Sequence, residues 1–332
     1  MTTHKNYFIN SRSLTSYNPL EIKLAVNKEK NYLFDLSYLD VLEVSGEKAT
    51  EFLQGQLTCD LKNLSDIQMV QGIQCNLKGR ILALLDVVLW DGVKLIVPGD
   101  LSEATQSSLA KTAQLSRVSI NKNEELRLMG FYLQNTKDLL PDVSFFPEMK
   151  HGQTYNEALC YYHLGNGFYI FIVKKEQSDK LINKFISQEQ FLGSFCWHGL
   201  RLHHEQFDIY PESRGLFLPH RLGLHETSLI SFNKGCYKGQ EIIARTHYKA
   251  TIKHQLKLFT IQTEAAIFSG QKLLNTTGDS ELGELVDYSP LAEKHSYLIA
   301  VSILKESPTT VRLQGSEQLI TMIELESNTM EK

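Results

Sequence analysis

Residues 231–245 read Ser-Phe-Asn-Lys-Gly-Cys-Tyr-Lys-Gly-Gln-Glu-Ile-Ile-Ala-Arg. Cys236 stands between Lys234 and Lys238, and Gly235 and Gly239 bracket it. Glycine reaches backbone angles closed to other residues, so the stretch is expected to form a tight loop. A helix over Gln240–Tyr248 follows it. A thiol just before a helix start, beside two cations, has its thiolate favoured, so its pKa is expected below the free value of about 8.5. The same loop offers backbone N–H groups and ammonium groups to an anion. A buried cysteine in a structural turn is the competing reading.

The chain around this loop has 332 residues, enough for two or three domains. Charged residues are 22% and apolar ones 42%, the mix of a globular protein. The formal net charge of −4 does not demand a nucleic-acid or anionic-membrane partner. The longest apolar run, Ile81 to Trp90, contains Asp86 and is too short to span a bilayer. No apolar stretch follows Lys5 and Arg12, so a secretory signal is not expected. The five cysteines are Cys59, Cys75, Cys160, Cys196 and Cys236; none forms a CxxC pair. Reduced thiols in a cytoplasmic protein are the simplest account.

Outward from the loop, the pattern gives two αβ units and a β-rich tail. Val41 and Val44 lie in a strand ending at Ser45-Gly46. Glu47–Gln54 reads as a helix stopped by Gly55, and Ile67–Cys75 as a strand. A Lys78-Gly79 turn leads into Ile81–Trp90, and Asp91-Gly92 signals a hairpin into Val93–Val97. Asp100 with Glu103 reads as a capping box for a helix to about Leu115. The second unit has strands Leu126–Leu133, Cys160–Leu164 and Phe168–Val173, with a Gly165-Asn166-Gly167 turn. Helices follow over Lys175–Ser187 and Gly193–Gln206. After Ala250, short strands alternate with Gly, Pro and Asn turns, as in a small antiparallel barrel. The expected fold is therefore α+β, with units over 1–118, 119–249 and 250–326, the first two able to interleave. The first thirty-odd residues read as irregular and Ser327–Lys332 as frayed.

Lys234 to Glu241, a Lys-Gly-Cys-Tyr-x-Gly-Gln-Glu segment continued by Ala244-Arg245, resembles the signature of the YgfZ family. The match extends to Val44-Ser45-Gly46, to the segment from Phe52 to Asp60, to Cys75-Asn76-x-Lys78-Gly79-Arg80 and to Phe217-Leu218-Pro219-His220. The resemblance implies a fold like the glycine-cleavage T-protein, built around a central pocket or channel. It implies binding of tetrahydrofolate or a derivative, and a part in making or repairing iron–sulfur proteins, which would be its clients. Together with the cysteine usage, the short apolar runs and the net acidity, the expectation is a cytoplasmic monomer with no membrane and no direct nucleic-acid contact.

Carried over residue by residue, the resemblance makes Cys236 the working thiol and gives no metal site. A folate needs apolar or aromatic walls, an amide or carboxylate for its pterin edge and a cation for its glutamate tail. Phe232 and Tyr237 are candidates for walls, Gln240 and Glu241 for the pterin, and Lys234, Arg245 and Arg201 for the remaining polar contacts. T-protein relatives carry an acidic pair after the second hairpin turn; Leu82 and Ala83 stand there, which argues against aminomethyl transfer. After Trp197 and Arg201, the bulky residues from Leu202 to Phe207 replace the small ones expected. Two alternatives remain: a folate-dependent one-carbon transferase, and a tRNA-binding or tRNA-modification factor carried by Lys234, Lys238, Arg245, Lys249 and Lys253. His198, His203, His204, His220 and His225 match no zinc spacing, and His203-His204 reads as a pair on a surface helix.

Overall fold

Alternation of apolar side chains builds the sheets, and positive-φ turns close them. The computed structural model describes residues 5–17, 26–143 and 145–325. The amino-terminal stretch is not irregular where described: β1 (Lys5–Ile9) and β2 (Arg12–Ser16) form a hairpin that buries Ile9 and Leu14. Next come β3 (Tyr32–Asp35), β4 (Leu39–Ser45) and α1 (Ala49–Gln56). α1 runs through Gly55 instead of stopping there and ends against the extended Leu57.

β5 (Val70–Cys75), β6 (Ile81–Leu89) and β7 (Val93–Pro98) form an antiparallel meander. Asp91 and Gly92 both have positive φ, 47° and 92°, the geometry a two-residue hairpin needs. α2 (Gly99–Ala113) follows. The expected capping box does not form: Pro98 is the N-cap, and the Asp100 carboxylate accepts instead from Arg12. β8 (Ser119–Lys122) completes this first sheet beside β4, in the order β5-β6-β7-β4-β8.

The second sheet takes β9 (Leu126–Tyr132), β10 (Gln153–Tyr155), β11 (Leu159–Gly165) and β12 (Phe168–Lys174). Beyond α3 (Lys175–Ile186) lies β13 (Phe191–Leu192), and α4 (Ser194–His203) follows. The strand order β10-β11-β12-β9-β3-β13 draws β3 from the beginning of the chain, so the two αβ units interleave. β3 and β13 pair in parallel, an exception in an otherwise antiparallel set. The Trp197 ring lies against Gly130, where any Cβ would come within 2.7 Å of it, fixing α4 tightly to the sheet.

α5 (Gln240–Lys249) precedes the barrel. Its strands are β14 (His254–Gln262), β15 (Lys272–Leu274), β16 (Glu281–Pro290), β17 (Ser296–Leu304), β18 (Thr310–Leu313), β19 (Leu319–Thr321) and β20 (Ile323–Glu324). The order β19-β18-β15-β16-β17-β14-β20 makes a nearly closed antiparallel sheet. β17 is buried from Leu298 to Ile303, as a central strand should be. The α+β expectation holds; β15 is a strand the sequence pattern missed. The stretch Ser327–Lys332 lies outside the described residues. No helix among the described residues is long and apolar enough to cross a membrane.

Candidate functional site

The loop around Cys236 is held from three sides. Lys234 is buried, and its ammonium donates to the carbonyls of Gln54 (2.6 Å), Leu57 (2.8 Å) and Cys59 (2.5 Å). An ammonium has three donors, so this set is complete. Burial lowers the Lys234 pKa to about 8. The Lys238 N–H donates to Gly55 O at 3.1 Å, and the Ser231 N–H to Thr58 O at 2.9 Å. On the other side, Gly239 sits at φ 87° against the turn after β5; a Cβ there would meet Asn76 O at 2.5 Å and Gly79 at 3.1 Å. Arg80 donates to Leu216 O, tying in the segment before Phe217. The stretches 52–60, 75–80, 215–220 and 231–241, far apart in sequence, thus form one structure.

On this frame Cys236 is exposed, while Cys59, Cys75, Cys160 and Cys196 are all buried. Burial pushes the Cys59 and Cys75 thiols up to about 12, so neither is a nucleophile. Cys236 lines a shallow cleft with Gly55, Gln56, Leu77, Tyr237 and Gln240. Glu241 and Lys238 line it too. The Tyr237 ring is buried beneath the Lys234 ammonium, 5.2 Å from its centroid. Phe232 stacks on His247 at 3.9 Å, and Arg245 is exposed on α5.

The structure does not gather all the expected residues here. Lys234 has no free donor, so the expected ligand contact gives way to a structural role. Arg201 is elsewhere, on the wall of a second cavity where the two αβ units meet. No residue lines both this cavity and the Cys236 cleft.

The second cavity has a volume of about 200 Å³. Leu39, Ile96, Leu164 and Ile170 supply apolar walls; Asp86, Arg201 and Asp208 supply charge. Strand alternation places Leu84 and Asp86 on one face of β6. That face points into the cavity, so Asp86 is not lost in the strand as its position suggests. The Asp86 carboxylate accepts from Gln71 Nε2 and from the Tyr162 hydroxyl, each at 2.8 Å. Burial still raises its pKa above the ordinary carboxylate value; those two hydrogen bonds oppose the rise. Leu82 and Ala83 are buried.

Arg201 donates to Gln206 Oε1 at 3.1 Å and Asp208 Oδ1 at 3.3 Å. Arg12, from the amino-terminal hairpin, is 3% exposed and bridges Asp208 at 2.7 Å and Asp100 at 2.9 Å. Glu205, Gln206 and Phe207 line the cavity as well, and Glu205 adopts φ 61°. Three of the bulky residues after Arg201 thus form part of this cavity's wall.

The histidines are not all on the surface. His198 is buried, hydrogen-bonded to Tyr288 O at 3.0 Å and 3.4 Å from Asp287. His220 is buried with neither ring nitrogen partnered, its centroid 4.7 Å from that of His225 and 6.1 Å from that of His247. Among the described residues no group of His, Cys, Asp and Glu is arranged to hold a metal ion.

No family model matches the chain. The tRNA-modifying protein YgfZ of Colwellia psychrerythraea is 26% identical over 262 residues, covering 76% of this chain and 78% of the relative. The Klebsiella pneumoniae protein of the same name is 28% identical over 242 residues, 71% of this chain and 74% of its own. That of Yersinia pestis is 28% identical over 228 residues, 68% and 69%. The chain is a relative of the YgfZ proteins. Among solved structures, the glycine cleavage system aminomethyltransferase T of Bartonella henselae superposes with a TM-score of 0.74, at 16% identity, over 98% of this chain and 94% of that one. The fold is that of the T-protein.

Proposed function

We propose that this YgfZ relative binds tetrahydrofolate or a derivative in the central cavity and uses Cys236, on a separate face, as its functional thiol. The observation that carries the reading is the cavity's make-up: apolar walls around a buried carboxylate, with Arg201 alongside. A pterin is a flat apolar bicycle whose amino and N–H edge calls for a carboxylate. Asp86 takes that role in place of Gln240 and Glu241, which lie in the other cleft. The volume suits a bicyclic head, with the anionic tail directed toward Lys150, an exposed residue of the lining.

The process served is the synthesis or repair of iron–sulfur proteins, including those that act in tRNA modification, the term in the relatives' name. Cysteine sulfur is a soft metal ligand, and Cys236 is exposed, which fits contact with a client's cluster. Aminomethyl transfer is the second reading, and Asp86 is the observation in its favour: it returns an acid to the cavity that Leu82 and Ala83 lack.

Titration of tetrahydrofolate against wild type, Asp86→Asn and Cys236→Ser tests the assignment. Asp86→Asn keeps the shape and loses the charge; it should weaken binding roughly tenfold or more, about 1.5–3 kcal/mol. Cys236→Ser should bind as wild type does, yet fail to restore iron–sulfur enzyme activity in cells lacking the protein. Equal affinity for wild type and Asp86→Asn would place the folate elsewhere. Turnover of tetrahydrofolate with a methylamine donor would favour the transferase.

A further inference from the structure

The chain is acidic overall, yet between Lys234 and Lys253 it carries five Lys or Arg and one acid, Glu241. Lys234 is consumed inside. Arg245, Lys249 and Lys253 are exposed, Lys238 half-buried. The fold adds two more exposed cations. Lys78 stands in the turn that packs against Gly239 and Ile242. Lys305 donates its N–H to Lys253 O. None of these six forms an ion pair among the described residues, whereas Lys48, Lys122, Lys184, Lys257 and Lys272 are paired; Lys175 and Lys180 on α3 are likewise unpaired there but stand without a neighbouring aromatic cluster.

An aromatic cluster lies among these cations. Tyr248 is 69% exposed and meets His247 edge-on at 4.8 Å. His247 in turn stacks on Phe232. The one exposed thiol, Cys236, opens onto the same side, beside Leu77, which is 77% exposed.

We propose that this face, from the β5–β6 turn along α5 to Lys253, docks single-stranded RNA. The six cations meet phosphates and Tyr248 stacks on a base. Unpaired cations spread along a helix track a backbone, and an exposed ring accepts any base. A duplex is disfavoured because its bases are already stacked. An acidic protein segment would use the cations but would leave Tyr248 unexplained. The idea goes beyond folate binding: the cavity contributes none of these residues, so either site can fail without the other.

The test is fluorescence anisotropy with a labelled single-stranded RNA of about 16 nucleotides at about 50 and 200 mM salt. Wild type should bind with a Kd on the order of micromolar or tighter at the lower salt. Arg245→Glu with Lys249→Glu should weaken binding by at least roughly tenfold and flatten the salt slope by about one to two units. Tyr248→Ala should weaken it roughly 5–100-fold without changing that slope. Lys175→Glu with Lys180→Glu, on exposed α3, should bind as wild type does. Circular dichroism and tetrahydrofolate affinity should be unchanged in all three variants. The proposal is overturned if no binding occurs at low salt or if the α3 pair costs as much as the α5 pair. It is equally overturned if Tyr248→Ala is silent while polyglutamate competes as well as RNA.

Discussion

The central cavity and the Cys236 face are opposite solutions to holding polar groups. In the cavity, charges are buried and each is held by others: Arg12 and Arg201 on Asp208, Gln71 and Tyr162 on Asp86. On the Cys236 face the backbone is fixed and the side chains are free. Lys234, Gly239 packed against Asn76 and Gly79, and the end of α1 hold the loop, while Cys236, Glu241 and Arg245 are exposed; Gly235, expected to be needed for the turn, has no positive φ and open space around it. A buried network suits a small ligand that must be read atom by atom. A rigid loop with solvated side chains suits a macromolecule that brings its own surface.

The cavity is where substitution should cost most. Arg12→Met removes the cation on Asp100 and one of the two cations on Asp208, where Arg201 remains. Breaking a pair whose guanidinium is buried typically costs about 3–5 kcal/mol, and the remaining Arg201 keeps the expected loss toward the lower end. Urea denaturation should therefore show a large fall in midpoint, and folate affinity should fall with it because Asp208 lines the cavity. A loss under about 1 kcal/mol would mean the hairpin detaches readily and the cavity keeps its charge balance without it.

The next effect separates structure from ligand contact at the signature loop. Lys234→Met keeps the aliphatic stem and leaves three carbonyls without donors. A destabilisation of about 2–4 kcal/mol is expected, lower than three bonds would sum to because water can reach the loop. Folate affinity should barely change. A variant of normal stability with weak folate binding would reverse the two roles and return Lys234 to the ligand.

How much of this the sequence discloses depends on what kind of signal each region carries. The loop is legible because glycine and lysine requirements sit within eight consecutive residues, and its support lies in equally compact stretches near Gly55 and Gly79. The strand and hairpin pattern follows for the same local reason: Asp91-Gly92 and Gly165-Asn166-Gly167 announce their turns. The cavity is not legible. Asp86 looks like a polar interruption in an apolar strand until β6 is paired and its inward face is known. Arg12 lies 196 residues from Asp208, and nothing local to either marks the pairing. Lys234 shows the complementary error: its place in the motif suggested a ligand contact, but three carbonyls brought from α1 and beyond it claimed the charge.

The smallest effect tests the contrast through pH, because the two regions titrate with opposite sign. Burial, helped by the nearby imidazoles of His225 and His247, lowers the His220 pKa to about 4 from an unfolded value of about 6.5. The unfolded chain then binds the extra proton between these values, so stability falls as pH drops from about 6.5 toward 4. From pH 7 to 5 the loss linked to His220 should be about 1–2 kcal/mol. Asp86 works the other way. Its folded pKa is raised, so its contribution is fully present at low pH and fades as pH rises through the folded value. Acidification should thus loosen the segment carrying His220 against α5 while the cavity gains. The groups facing His220 are His225, with Glu226 3.7 Å from its ring, and His247 on α5. The measurement is unfolding free energy at several pH values for wild type and His220→Leu, with the difference between the profiles isolating this residue. The wild-type curve should fall relative to the His220→Leu curve by about 1–2 kcal/mol as pH drops from about 7 to 5, since only wild type loses the His220 contribution. Parallel curves would mean that His220 protonates alike in folded and unfolded chains, and the proposed contrast between the two regions would lose its electrostatic half.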